Sequence, residues 1–298
     1  MTTAVERSAG VASQSSMPDS SSNFLPSRRT FFLIKAFALA SLLLCLVACG
    51  TPSARIDAIA TKGQLTREIV QGTDFRHVVY TRAATRNDSA LTVYLESDGL
   101  PWISGRVPAN DPTSREPLAL ELMLQSADAA IYVARPCYHE LDDDGCSWHA
   151  WTTARYSLAT VESMAIAIAR KSLMLGAKRL RLIGYSGGGV LAVLIAERLT
   201  NVDAVITIGA NLDVEAWTSH HGYLPLTASL NPARSTREHP WRELHLQGAK
   251  DTVVPPATTE AYFSRYPRAR RRTFDDYDHV CCWKAEWLEV RGELRIEN

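Results

Sequence analysis

The chain has 298 residues, and its 32 lysines and arginines balance its 32 aspartates and glutamates to a formal net charge of zero. No long run of one sign occurs, so neither nucleic acid nor an electrostatic hold on an anionic surface is indicated. Setting aside an N-terminal leader leaves about 250 residues, enough to bury the core of one large α/β domain.

Residues 1–26 are rich in Ser, Thr and Ala and poor in large apolar side chains, a composition that favours disorder, and Met17 is an alternative start. Arg28 and Arg29 then precede an apolar stretch from Phe31 to Ala48, broken only by Lys35. A basic region, a short apolar run and small residues at its end make a targeting segment. The run is nearly long enough to span a membrane, but Lys35 and the terminal Ala48-Cys49-Gly50 argue against a permanent anchor. Leu46-Val47-Ala48-Cys49 resembles the lipobox of a bacterial lipoprotein signal. The resemblance implies that residues 1–48 are removed and that Cys49 is acylated. The protein would then face the periplasm from the cell envelope, at the outer membrane because glycine rather than aspartate follows the cysteine. Arg28-Arg29 with Phe31 also resembles a twin-arginine export signal, which leaves the general and the twin-arginine routes both open.

Ile56 to Ala60, stopped by Gly63, reads as a short helix on a tether spanning 49–64; the main domain follows at 65–298. Leu65 to Val70 and Phe75 to Thr81 read as strands separated by the turn residues Gly72, Thr73 and Asp74. Leu91 to Glu96 is a third strand that runs into Ser97-Asp98-Gly99. Ala119 to Gln125 reads as a helix and Ala130 to Ala134 as a fourth strand. The stretch 135–156 is irregular, and its Trp148 and Trp151 either wall a pocket or cover the core. Ser157 to Leu175 carries Leu158, Val161, Met164, Ala165 and Ile168 at helical spacing and stops at Gly176. A strand from Lys178 to Ile183 completes a βαβ crossover.

That strand ends in Gly184-Tyr185-Ser186-Gly187-Gly188, and a nearly all-apolar helix follows from Gly187 to Leu199. G-x-S-x-G alone is weak, because composition produces it in about one chain in ten of this length. Between a buried strand and a buried helix it fits a nucleophile elbow, where the serine sits on a strained turn and the glycines let the two elements approach. A serine that only caps the helix is the bland alternative. Ala204 to Ile208 and Leu244 to Leu246 are further strands. The long connection between them, about 210–242, holds Trp217, His220, His221 and Tyr223 and is read as a modest cap over Ser186. Beyond it lie Gly248 to Pro255, a helix from Thr258 to Tyr266, a basic run from Arg268 to Arg272 read as a solvated face, and Asp278-His279-Val280.

A serine hydroxyl is a poor nucleophile near neutral pH; an imidazole must take its proton, and a carboxylate must orient the imidazole. Ser186, Asp251 and His279 occur in that order, each after a predicted strand. On these residues, and on the G-x-x-D-x-x-V-P turn within Gly248 to Pro255, the chain from about Leu65 resembles an α/β-hydrolase. The resemblance implies a mostly parallel central sheet flanked by helices and a cofactor-free serine hydrolase acting on a small-molecule or lipid-like carboxylic ester. Ser186 would be the nucleophile, His279 the general base and Asp251 the orienting carboxylate. Oxyanion N–H groups would come from Gly187 and from Asp98 or Gly99; the usual His-Gly pair is absent, so which of these two points inward stays open. Asp213 and Asp276 remain alternatives to Asp251. His245 lies inside a predicted strand, and His220 and His221 precede the acid. Because the triad does not encode the leaving group, a peptidase, an amidase or an acyltransferase remains in play, as does a noncatalytic envelope lipoprotein. Cys137 with Cys146 is the simplest disulfide, while Cys281 and Cys282 either pair with each other or bridge to the first two. A zinc site built on these cysteines is the weaker reading, because no second C-x-x-C or H-x-x-x-H spacing supports it, so no metal is expected; nothing in the sequence bears on oligomeric state.

Overall fold

The computed structural model describes residues 50–83 and 89–293, so the leader, with Cys49 and the paired arginines, lies outside them. Helix α1 (Pro52–Lys62) begins at Thr51, whose hydroxyl accepts from the Ala54 N–H, and ends at Gly63. It is no tether. Ile56 is fully buried and joins Ala60 in a core, with Ile59 packed alongside, and Asp57 accepts a hydrogen bond from Tyr80. The spacing 56, 59, 60 puts one apolar stripe on the domain. Residues from Gly50 onward form one compact unit, and the boundary expected at 65 therefore moves to Gly50.

The chain then runs through β1 (Thr66–Gln71), β2 (Arg76–Arg82), β3 (Ala90–Leu95), the short pair β4 (Trp102–Ile103) and β5 (Val107–Pro108), α2 (Leu118–Leu124), β6 (Ala130–Val133), α3 (Trp148–Trp151) and α4 (Leu158–Met174). It continues as β7 (Arg179–Tyr185), α5 (Gly187–Ala196), β8 (Val202–Ile208), α6 (Val214–His221), β9 (Arg242–Gly248), α7 (Glu260–Arg265), β10 (Arg270–Phe274) and α8 (Trp283–Glu293). The eight-stranded sheet has the order β1-β2-β6-β3-β7-β8-β9-β10. β2 is antiparallel to β1 and to β6, and every other pairing is parallel.

Successive strand residues enter opposite faces, as the pleat requires. Along β3, Val93 and Leu95 enter one core and Tyr94 the other; along β6, Ile131 and Val133 oppose Ala130 and Tyr132. Helices α4 and α5 cover the first face, and α1, α2 and α8 cover the second. A sheet buried on both sides needs such apolar strands.

The basic run is a strand rather than a featureless solvated face. Arg270 to Phe274 pairs in parallel with Leu244 to Gly248 at the sheet edge. Its arginines point largely to solvent, so no apolar alternation marks it, and their charge blunts the open edge. The helix expected from Thr258 to Tyr266 divides into a 3-10 turn at Pro256–Thr259 and α7. Ser186 follows β7, Asp251 follows β9, His279 follows β10 and Asp98 follows β3. All four thus stand at the carboxyl ends of parallel strands, where such sheets hold their ligands.

Candidate active site

Ser186 has φ +53° and ψ −125° in the one-residue step between β7 and α5. A non-glycine residue held there costs about 1–3 kcal/mol and persists only when its surroundings dictate it. They do: the Ser186 N–H donates to the Ile208 carbonyl at 2.8 Å, and the Ser186 carbonyl accepts from the Gly189 N–H at 2.8 Å. A Cβ on Gly184 would strike the Gly188 backbone, and one on Gly188 would strike the Leu95 carbonyl.

His279 Nε2 lies 3.1 Å from Ser186 Oγ, and His279 Nδ1 lies 2.7 Å from Asp251 Oδ2. Asp251 is buried, and its Oδ1 accepts the N–H groups of Val253 at 2.9 Å and Val254 at 2.7 Å. Both carboxylate oxygens are therefore occupied and the plane is set. The His279 carbonyl accepts from Tyr185 Oη at 3.2 Å and from Trp283 Nε1 at 3.0 Å. At the end of β8, Gly209 (φ +55°) lets the backbone pass this pair; a Cβ there would sit 3.2 Å from His279 Nδ1 and 3.3 Å from Asp251 Oδ2.

The other candidates are engaged elsewhere. Asp213 Oδ1 caps α6, accepting from the Glu215 and Ala216 N–H groups at 3.2 Å and from Asn231 Nδ2 at 2.8 Å. Asp276 is exposed and pairs with Lys250 at 2.7 Å. His245 is buried between Thr207 and Glu243. His220 is exposed, while His221 Nε2 meets the Val253 carbonyl at 2.8 Å, an oxygen that also accepts from Trp217 Nε1 at 2.8 Å. Helix α6 is thereby tied to the turn that carries Asp251.

Gly187 opens α5, and its N–H is one of the four that a helix leaves unpaired at its start. In the loop after β3, the Gly99 N–H is turned onto Ser97 Oγ at 3.4 Å. Sequence reasoning missed what surrounds Asp98. Its carboxylate meets Arg135 Nη2 at 2.8 Å and Arg155 Nη1 at 2.7 Å and accepts from Tyr156 Oη at 2.8 Å; its carbonyl accepts from Tyr138 Oη at 2.8 Å. Burial alone would raise the Asp98 carboxyl, but the Arg155 and Arg135 charges outweigh it and hold the group below the usual carboxylate range. These partners are distant in sequence and no local spacing marks them. Nearby, Glu96 is buried at the end of β3 and accepts from the Ser97 N–H at 2.9 Å and the Ala119 N–H at 3.0 Å. Burial pushes its carboxyl up to about 7, against the pull of those N–H groups.

Ser186 and His279 open onto a cavity of about 730 Å³, walled by Trp102, Arg155, Trp217, Leu224 and Leu226 among others. The 210–242 insertion supplies Trp217, Leu224 and Leu226, and the β4–β5 hairpin supplies Trp102. Trp148 stands outside the wall, exposed and stacked on His149. Cys137 and Cys146 are disulfide-bonded with a Cα–Cα distance of 5.5 Å. Cys281 and Cys282 are bonded to each other, two residues beyond His279. Among the described residues, no group of three or more His, Cys, Asp and Glu side chains is arranged to hold a metal ion.

No family model matches the chain, and no curated protein sequence matches it. Solved structures do. An esterase of Pyrococcus furiosus superposes with a TM-score of 0.57 at 12% identity, over 78% of this chain and 91% of its own. A protein of Agrobacterium vitis assigned to the hydrolases gives 0.53 at 14% identity, over 78% of this chain and 98% of its own. A puromycin hydrolase gives 0.54 at 15% identity, over 76% of this chain but 37% of its own. At these identities the likeness is one of fold. With the strand order and helix layers described above, it defines the α/β-hydrolase fold, which this chain adopts.

Proposed function

We propose that the protein is a serine hydrolase that cleaves a carboxylic ester through an acyl-enzyme. The observation that carries this reading is the unbroken hydrogen-bonded line from Asp251 Oδ2 through both nitrogens of His279 to Ser186 Oγ, on a left-handed elbow that opens into a cavity. As Ser186 Oγ attacks the ester carbonyl carbon, His279 Nε2 takes its proton and Asp251 stabilises the imidazolium through Nδ1. The oxyanion forms against the N–H groups of Gly187 and Asp98, the latter preferred over Gly99 because the Gly99 N–H is engaged with Ser97. Collapse expels the alcohol with the proton held on His279. A water, deprotonated by the same imidazole, then attacks the acyl carbon and releases the carboxylic acid, and Ser186 recovers its proton. No cofactor enters the scheme. An ester is favoured because the Pyrococcus furiosus neighbour is an esterase and because the cavity wall has a large aromatic and aliphatic share.

The lipobox resemblance supports placing this domain on a membrane through an acylated Cys49, facing the periplasm and bound to the outer membrane. A fluorophosphonate probe tests the chemistry. Residues 50–298 are expected to label at Ser186, Ser186→Ala to remove the label, and His279→Ala to slow it strongly. A folded domain that takes no label would move the protein to a noncatalytic role.

A further inference from the structure

The ion cluster under the elbow is poorly explained by stability. The Arg135 and Arg155 side chains are 4% and 6% exposed, yet the two guanidiniums share the single carboxylate of Asp98. Arg135 Nε, moreover, has no hydrogen-bond partner among the described residues. Desolvating two cations against one anion is costly, and well-packed apolar side chains often replace such a cluster without loss. Its position is more telling. Gly187 is packed so closely on it that a Cβ there would strike both the Asp98 carboxylate and the Tyr156 hydroxyl. Arg155 is also part of the cavity wall.

Resting on the serine-hydrolase reading, we propose that Asp98 and Arg155 are positioning residues for the oxyanion hole and that the surplus guanidinium charge beneath it stabilises the tetrahedral oxyanion. Three donors hold the Asp98 carboxylate and Tyr138 Oη holds its carbonyl. The N–H of the same residue is thus immobilised before substrate arrives, which is what makes a hydrogen-bond donor effective toward a developing charge. The field of the second guanidinium acts on an anion and hardly on a neutral ester, so its effect belongs to the transition state and not to substrate binding. Arg135 and Arg155 come from opposite ends of the irregular stretch 135–156. That segment, which also carries α3 and the Cys137–Cys146 disulfide, therefore serves as the rear wall of the oxyanion hole.

Residues 50–298, a unit that contains both cores, are suited to the test, with Arg155→Met, Arg155→Lys and Asp98→Asn made alongside the parent. The readouts are kcat and KM for p-nitrophenyl butyrate, inhibition by a boronic acid whose anionic tetrahedral adduct mimics the intermediate, and the thermal midpoint. Arg155→Met is expected to lower kcat about a hundredfold while KM stays within about twofold, and to weaken the boronic acid by a factor like that in kcat. Arg155→Lys is expected to recover much of the loss, and Asp98→Asn, which weakens the hold on the loop but leaves both guanidinium charges in place, to lose less than Arg155→Met. A folded Arg155→Met with parental kcat, a loss confined to KM, or a lysine variant no better than methionine would overturn the proposal and leave the hydrolase reading standing. A parent that neither turns over ester nor takes a fluorophosphonate label overturns both. Should Arg155→Met fail to fold, Arg155→Gln, which keeps a hydrogen-bond donor toward Asp98 but removes the charge, decides by the same split between kcat and KM.

Discussion

Asp213, Asp251 and Asp276 are chemically alike, and what separates them is what each carboxylate already holds. Asp213 spends one oxygen on the first turn of α6, and Asp276 lies in solvent against Lys250. Asp251 gives one oxygen to backbone N–H groups and keeps the other for His279. Asp251→Asn should therefore lower kcat by about ten-thousandfold by favouring the wrong imidazole tautomer, the size of the effect of the equivalent change in a trypsin-type triad. Asp213→Ala should leave kcat unchanged and cost about 1 kcal/mol of stability as a lost helix cap. Ester turnover with urea unfolding on both variants checks this, and a large kcat loss confined to Asp213→Ala would reverse the assignment. The acid could be ranked from sequence because its turn has a local pattern. Gly209 could not, since the need for a bare backbone there arises only when β8 is laid beside the His279–Asp251 pair.

At the scale of elements, one buried cluster joins the end of α5, strand β9 and helix α7. His239 Nε2 meets Glu197 at 3.2 Å and Nδ1 meets Glu243 at 2.6 Å, with the ring stacked on Tyr266 at 3.9 Å and on Trp241 at 4.7 Å. A ring facing carboxylates through both nitrogens donates twice only as imidazolium. Burial alone would lower its pKa, but the bonds to Glu197 and Glu243 outweigh burial and raise it above the ordinary value of 6.5. The folded state thus binds this proton more tightly than the unfolded chain. The stabilisation is complete below pH 6.5 and fades as pH rises through the raised value. Arg198 and Arg237 face Glu197, and Tyr262 and His245 face Glu243. Glu96, pushed up to about 7 from 4.5, adds a separate decline between those values. The stability difference between the parent and His239→Gln isolates the cluster. By urea unfolding, that difference should be large at pH 6 and shrink by pH 9, and an unchanged difference would remove His239 as its source. This cluster was not legible in the sequence, because Glu197 is 42 residues from His239 and the four-residue spacing of His239 and Glu243 runs from a loop into β9 with no helical period to mark it. The strands β3, β7 and β8 and the long helix α4 were legible because their apolar spacing and glycine stops are local. β10 was hidden for the opposite reason: an edge strand of arginines has no apolar face to betray it.

For the whole molecule, the position of α1 bears on the proposed lipid anchor. Thr51 caps that helix and Ile56 lies in a core, so folded structure begins within two residues of Cys49. The acyl group would hold the domain at the membrane while taking no part in its packing. Cys49→Ala in the full chain should move the protein from the membrane to the soluble fraction and leave kcat on a soluble ester within about twofold. Retention at the membrane in that variant would remove Cys49 as the anchor.

The line from Asp251 through His279 to Ser186 also has an order in time. Ser186 and His279 are 93 residues apart, and the base arrives only after β10 has been laid against β9. During synthesis Ser186 leaves the ribosome first, then Asp251, and His279 after both. On the proposed mechanism, a chain cut short anywhere before the end of β10 would carry a serine without its base, so fragments and half-made molecules would not acylate themselves or their neighbours.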